Sequence, residues 1–380
     1  MGGNVFRSSL LGLLLIGLAA CAPGKGGVIS HPADNPQHLS EWGLFDVSSG
    51  ALKFSEGVLP YDLNSPLFTD YAHKLRTIWV PGDASAVDLN IGGIPDFPIG
   101  TVISKTFYYP RSEARDSAIL KTEDPAGQMN PALTDLDTVR LMETRLLVRR
   151  DQGWEPVSYV WNETQTDAVL TKIGDVEPLT LVDPVGEEVD FTYIVPDINQ
   201  CAGCHAPNNT TRNIEPLGVR ARHLNKPFEH DGRDRNQLTY LFERGVLGEV
   251  DHATSIPANA DWTDESLSLE QRARSYLDIN CSHCHNPAGP ADTSGLDLTV
   301  DATLGPALGL CKLPIAAGSG TGGRAFSIVP GAPDESIMIY RLETTKPGAM
   351  MPELGRALSH AEGVELIREW IANMEGDCAV

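Results

Sequence analysis

Two pentapeptides constrain this chain of 380 residues more than anything else in it: Cys201-Ala202-Gly203-Cys204-His205 and Cys281-Ser282-His283-Cys284-His285. Both have the form C-x-x-C-H. Thiols three positions apart can add to the two vinyl groups of one haem, and the adjacent imidazole then lies under the iron as its proximal ligand. The spacing predicts two covalently attached haem c groups, one on Cys201 and Cys204 and one on Cys281 and Cys284, with His205 and His285 bound to iron. The same cysteines could be read as redox dithiols or as a C-x-x-C…C-x-x-C zinc site. A histidine after both pairs, in a chain that opens with an export signal, argues for haem instead. His283 reads as a spacer whose side chain points away from the iron held by His285.

The export signal occupies residues 1–20: Arg7, then an apolar run over Leu10–Leu18 that is too short to cross a bilayer. It ends in Leu18-Ala19-Ala20-Cys21, which resembles the lipobox of bacterial lipoproteins. That resemblance implies that Cys21 is lipidated and becomes the first residue of the mature chain; an ordinary signal peptide with an incidental cysteine is the alternative. With Ala22 rather than Asp next, it also implies an outer-membrane anchor, the soluble part lying in the periplasm. Residues 21–44, rich in Pro and Gly, read as a flexible tether. Of the seven cysteines, four are assigned to haem and one to lipid. Cys311 and Cys378 remain, and an oxidising compartment favours a disulfide between them over two buried thiols.

Acidic side chains number 51 against 29 basic ones, a formal charge of −22. That balance excludes nucleic acid as a partner and favours redox partner proteins with basic surfaces. Over residues 45–198 the segments Leu75–Val80, Thr101–Tyr109, Val139–Arg149, Val157–Trp161 and Val189–Val195 are rich in β-branched and aromatic residues between Pro, Gly, Asp and Asn clusters. They predict a β-rich domain. Beyond it, capping-box patterns predict helices from Asp234, from Ser268 into Cys281, and from Ser359 to Gly376. The expected fold class is therefore multidomain, an N-terminal β-rich domain followed by a mostly α, cytochrome c-like haem region, with a first haem module over 199–260 and a second haem domain over 261–380.

The second motif's surroundings, a helix before it, a Gly/Pro-rich stretch after it, Met350-Met351-Pro352 and a closing helix, resemble the cytochrome c fold. In that fold a loop methionine is the distal ligand, which implies Met351, or Met350 failing that. The first motif has no methionine between Met142 and Met338. His230 is the leading candidate for its distal ligand, then His223, with His252, Met129, Met142 or an open position remaining. Through Asn64–Ala72, Phe97–Thr101, Thr144–Leu147, both C-x-x-C-H motifs, Val329-Pro330-Gly331 and Met351-Pro352, residues 42–375 resemble a group of di-haem c-type cytochrome lipoproteins of Gram-negative bacteria. The resemblance implies haem and electron transfer, so a lipid-anchored electron carrier is the leading expectation. A peroxidase-like di-haem enzyme with an open first site, and a cell-envelope binding or sensory module, are the alternatives.

Overall fold

The computed structural model describes residues 1, 27–82, 93–113, 115, 117–122, 135–230, 233–248, 256–315 and 317–378. Cys21, Met129 and His252, along with the signal segment 2–20, lie outside them. In the first half, short strands β1 (Phe45–Asp46) and β2 (Lys53–Phe54) pair as a small ribbon. They precede β3 (Leu59–Tyr61), β4 (His73–Trp79), β5 (Val102–Pro110), β6 (Ala118–Leu120), β7 (Val139–Arg150), β8 (Gly153–Trp161), β9 (Ala168–Thr171), β10 (Asp175–Val182) and β11 (Glu188–Val195). A six-stranded sheet runs in the order β3-β4-β5-β7-β8-β9, antiparallel throughout, and a three-stranded sheet runs β11-β10-β6.

The large sheet is covered on both faces, which is why its strands carry apolar residues at both parities of the strand period. One face packs Trp42, Val102, Leu146, Val148 and Tyr159 together. The other joins Leu59, Ile78, Ile103 and Leu147 to Val219, Leu224, Phe228, Leu241 and Ile279. That second core carries the segments around the first motif directly onto the sheet. A further cluster, including Phe107, Tyr109, Met142, Leu179 and Tyr193, fills the space between the two sheets.

The second half holds α1 (Ile198–His205), α2 (Ala221–Leu224), a hairpin of β12 (Pro227–His230) and β13 (Arg233–Asn236), α3 (Gln237–Glu243), α4 (Leu269–Cys281), α5 (Ile337–Glu343) and α6 (Ala361–Ala372). The expectation of a mostly α, cytochrome c-like haem region is overturned here. Among the described residues there are four sheets, with 25% in strands against 23% in helices. The physical reason lies in the 282–336 stretch. Pro306 and Pro333 each open a single 3-10 turn, and Gly295, Gly309 and Gly322 hold positive φ angles that end such turns. The helix expected from Asp234 also shifts: residues 233–236 are strand, and Asn236 caps α3 by accepting from the Leu238 and Thr239 amides. α4 and α6 each carry an apolar stripe, and they pack together through Ala273, Tyr276, Leu277, Val364, Ile367 and Ile371. Cys311 and Cys378 form a disulfide that ties the long loop to the chain end. No helix among the described residues is long and apolar enough to cross a membrane.

Candidate cofactor-binding site

Each motif is set on a capped helical turn. Asp197 starts α1 by accepting from the Asn199 and Gln200 amides at 2.7 and 3.0 Å, while Gln200 accepts from the Asp197 amide at 3.0 Å. Ser268 and Gln271 make the same reciprocal box at the start of α4. Cys281 ends α4, and the turn continues through the motif because the Cys284 and His285 amides both donate to the Cys281 carbonyl. Positions i, i+3 and i+4 share a helix face, so two thiols and one imidazole of each motif line up on one side.

The fold brings the two motifs into contact. The Cys284 thiol lies 3.3 Å from the Gly203 carbonyl, and the Asn209 amide donates to the Ala288 carbonyl at 2.7 Å. A side chain at Gly203 would meet Leu354. Two cavities flank this contact and share Cys204, His283, Pro352 and Leu354 in their walls.

The larger cavity, about 490 Å³, is lined by Cys281, Cys284, His285, Met338, Arg341 and Met351 among others. Met351 reaches this wall and Met350 does not. His285 Nδ1 is 3.0 Å from the Ser294 hydroxyl, whose own proton goes to the Ala291 carbonyl at 2.7 Å. Ser294 therefore accepts, His285 Nδ1 carries the proton, and Nε2 keeps a free lone pair. Burial, then the Arg341 charge, lowers the His285 pKa to about 4, so the ring is neutral at pH 7.

The smaller cavity, about 150 Å³, is lined by Cys201, Cys204, His205 and His283. His205 Nδ1 donates to the Glu215 carbonyl at 2.8 Å, which again frees Nε2. Burial first, and Lys105 second, lowers its pKa to about 3. The opposite wall is the large sheet, which presents Lys74, Arg76, Lys105 and Arg145. Arg76, Lys105 and Arg145 stand directly opposite one another across β4, β5 and β7. Like charges in register repel, so this row needs anions. Arg145 pairs with the fully buried Glu143, which also accepts from the Tyr193 hydroxyl at 2.8 Å. Arg76 pairs with Asp62 at 3.2 Å. Burial and the adjacent Arg145 pull Lys105 down to about 7. None of these cations is a candidate site residue by spacing, because their adjacency is a matter of strand register.

The first motif's distal candidates lie elsewhere. His230, on β12, packs against Tyr240 with the rings tilted and shares a hydrogen bond with its hydroxyl at 3.1 Å; it does not line the cavity beside His205. His223 is buried against Asn259 and Asp278. Met142 is in the core between the sheets.

All four motif thiols are free and are raised in pKa by burial, Cys281 and Cys284 to about 12. A redox dithiol needs the opposite shift. Among the described residues no three His, Cys, Asp or Glu side chains gather as a chelating group. Compared with known protein families, curated proteins and solved structures, the chain matches none.

Haem attachment needs two thiols, a histidine with a free Nε2 and an apolar cavity. The second motif fits on all counts, its cavity being within the roughly 300–1,000 Å³ of small-molecule pockets. The first fits by donor set rather than by volume. Its cavity shares Cys204, His283, Pro352 and Leu354 with the larger one, and the side chains of Lys74, Lys105, Arg145 and Leu354 are part of its lining.

Proposed function

We propose that this chain is a di-haem c-type electron carrier. The observation that carries the reading is the contact between the two motifs, each with its thiol pair and its free imidazole Nε2 on a cavity wall. Bound haem supplies one-electron exchange between ferric and ferrous iron. Cys201, Cys204, Cys281 and Cys284 would hold the two groups, and His205 and His285 would ligate them. The Glu215 carbonyl and the Ser294 hydroxyl fix the tautomer and the plane of each ring. Met351 shares the wall with His285 and would supply the second ligand there, a pairing that raises the potential. Lys105 and Arg145 offer cations to the carboxylates of the group on the first motif.

The rest of the reading follows from the sequence. Cys21 would carry the lipid that anchors the chain to the outer membrane, and the acidic surface would steer partner proteins with basic faces. The resemblance to di-haem cytochrome lipoproteins agrees with this role. The test is a haem count on protein purified from a host that attaches haem c. Two haems per chain by pyridine haemochrome, with the matching gain in mass, are expected. No haem, or zinc in its place, refutes the reading.

A further inference from the structure

Nine of the ten histidines are among the described residues, and eight of these have a ring nitrogen within hydrogen-bond or ion-pair reach of a neighbour. His283 is the ninth. It is 8% exposed, and its ring has no hydrogen-bond partner among the described residues. Its ring nitrogens are not among the sealed, unsatisfied polar atoms of the interior, so the imidazole has its bonding capacity unused and turned to the cavities it lines.

The position of His283 indicates what that capacity serves. It lines both cavities. The close approach of Cys284 to Gly203, 3.3 Å, holds residues 283–285 against α1, the helix that carries the first motif. Among the described residues lining the smaller cavity, His205 and His283 are the only imidazoles, and methionine is absent.

We propose that His283 is the second axial ligand of the haem on the first motif. The inference rests on the electron-carrier reading and extends it. The two histidines flanking Cys284 then serve different irons, His285 its own and His283 the neighbour's. The bond needs only the lone pair of a neutral imidazole, so no proton or electron is displaced. Two imidazoles on the first iron and a His/Met pair on the second give unequal potentials, the second higher. Electrons entering at the first haem would then pass downhill to the second.

The test is low-temperature EPR on the oxidised, haem-loaded full chain. The wild type should show two low-spin ferric haems and no high-spin signal. His283→Ala should convert one haem per chain to high spin, leave the other low-spin, and return to two low-spin haems when free imidazole is added. A structural role for His283 does not produce that rescue. His283→Met, which keeps a donor of similar reach, should stay low-spin and raise the potential of one haem only. A high-spin haem in the wild type, or two unchanged low-spin haems in His283→Ala, overturns the assignment. If His283→Ala does not accumulate, the wild-type spectrum and the His283→Met potential decide. A haem count below two refutes the electron-carrier reading and this ligand with it, whereas two haems with an unchanged His283→Ala spectrum refute the ligand alone.

Discussion

The two C-x-x-C-H motifs offer the same atoms at the same spacing, yet they stand in opposite surroundings. The second closes a helix of 13 residues and opens on a cavity of about 490 Å³ whose wall is mostly apolar, with Met351 across it. The first fills the end of an eight-residue helix and faces a row of cations on a sheet. The motif dictates attachment, while the surroundings dictate charge, room and the second ligand. The difference teaches that a duplicated motif need not bring a duplicated domain: one copy is built against helices and the other against the large sheet.

The comparison is broken most directly by removing each thiol pair. Replacing Cys281 and Cys284 by Ala should halve the haem content and abolish the weak far-red sulfur-to-iron band expected of a His/Met site. Replacing Cys201 and Cys204 should also halve the content but leave that band in place. Pyridine haemochrome and near-infrared spectra read both results, and loss of the band from the second variant would mean that Met351 does not serve the second site.

Next in size is the sheet side. Glu143→Ala leaves the partly buried Arg145 beside Lys105 with no carboxylate; removal of one partner of a fully buried pair costs about 3–5 kcal/mol, and a loss at the low end of that range is expected. Glu143→Gln, which keeps acceptors for Arg145 and Tyr193, should lose less. Denaturant unfolding of the haem-free chain measures both. Among the described residues the second site has no such pair to break, since Arg341 donates to the Gly320 and Ala317 carbonyls.

Histidine burial gives a smaller, pH-dependent contrast. Burial holds His205 at about 3 and His223, His283, His285 and His360 at about 4, all below the ordinary value of 6.5. Between pH 6.5 and about 4 the unfolded chain binds protons that the folded chain refuses. Stability is therefore present above 6.5 and is lost as pH falls towards 4. Asp70, raised by burial to about 6, opposes this as a single group. With His205 and His285 held on iron in the folded and the unfolded haem-loaded chain alike, both would leave the titration, so its acid loss should be smaller than that of the haem-free chain. Thermal unfolding of both forms across that pH window checks the difference.

How much of this was legible depended on range. The motif face, the Ser268 capping box and the segments that became β4, β5, β7, β8 and β11 are local, and period and spacing reveal them. The contact of Cys284 with Gly203 joins residues 81 apart in sequence, and nothing local encodes it. The row of Arg76, Lys105 and Arg145 exists only once register is set. Asp234-Arg235-Asn236-Gln237 imitates a capping box, but the real cap is Asn236. Residues 233–236 pair instead with 227–230 as a strand. His283 reads as a spacer within its own motif, and its place on the wall beside His205 is set by a segment far away in the chain.

The smallest effect sharpens the comparison at the helix starts. Asp197→Ala and Ser268→Ala each remove a side-chain acceptor from a capping box, and loss of such a cap costs about 1 kcal/mol in either place. The consequences should differ because the helices differ in what else holds them. α4 packs Ala273, Tyr276 and Leu277 into the core with α6, so tertiary contacts keep Cys281 in place when the first turn frays. α1 has no buried residue of its own, and its motif begins only four positions after the cap. Fraying there reaches Cys201 directly. Asp197→Ala should therefore slow haem attachment at the first motif and increase amide exchange through residues 199–204, while Ser268→Ala changes stability alone. Equal attachment in the two variants would show that the sheet, rather than the cap, holds α1 in its attachment geometry.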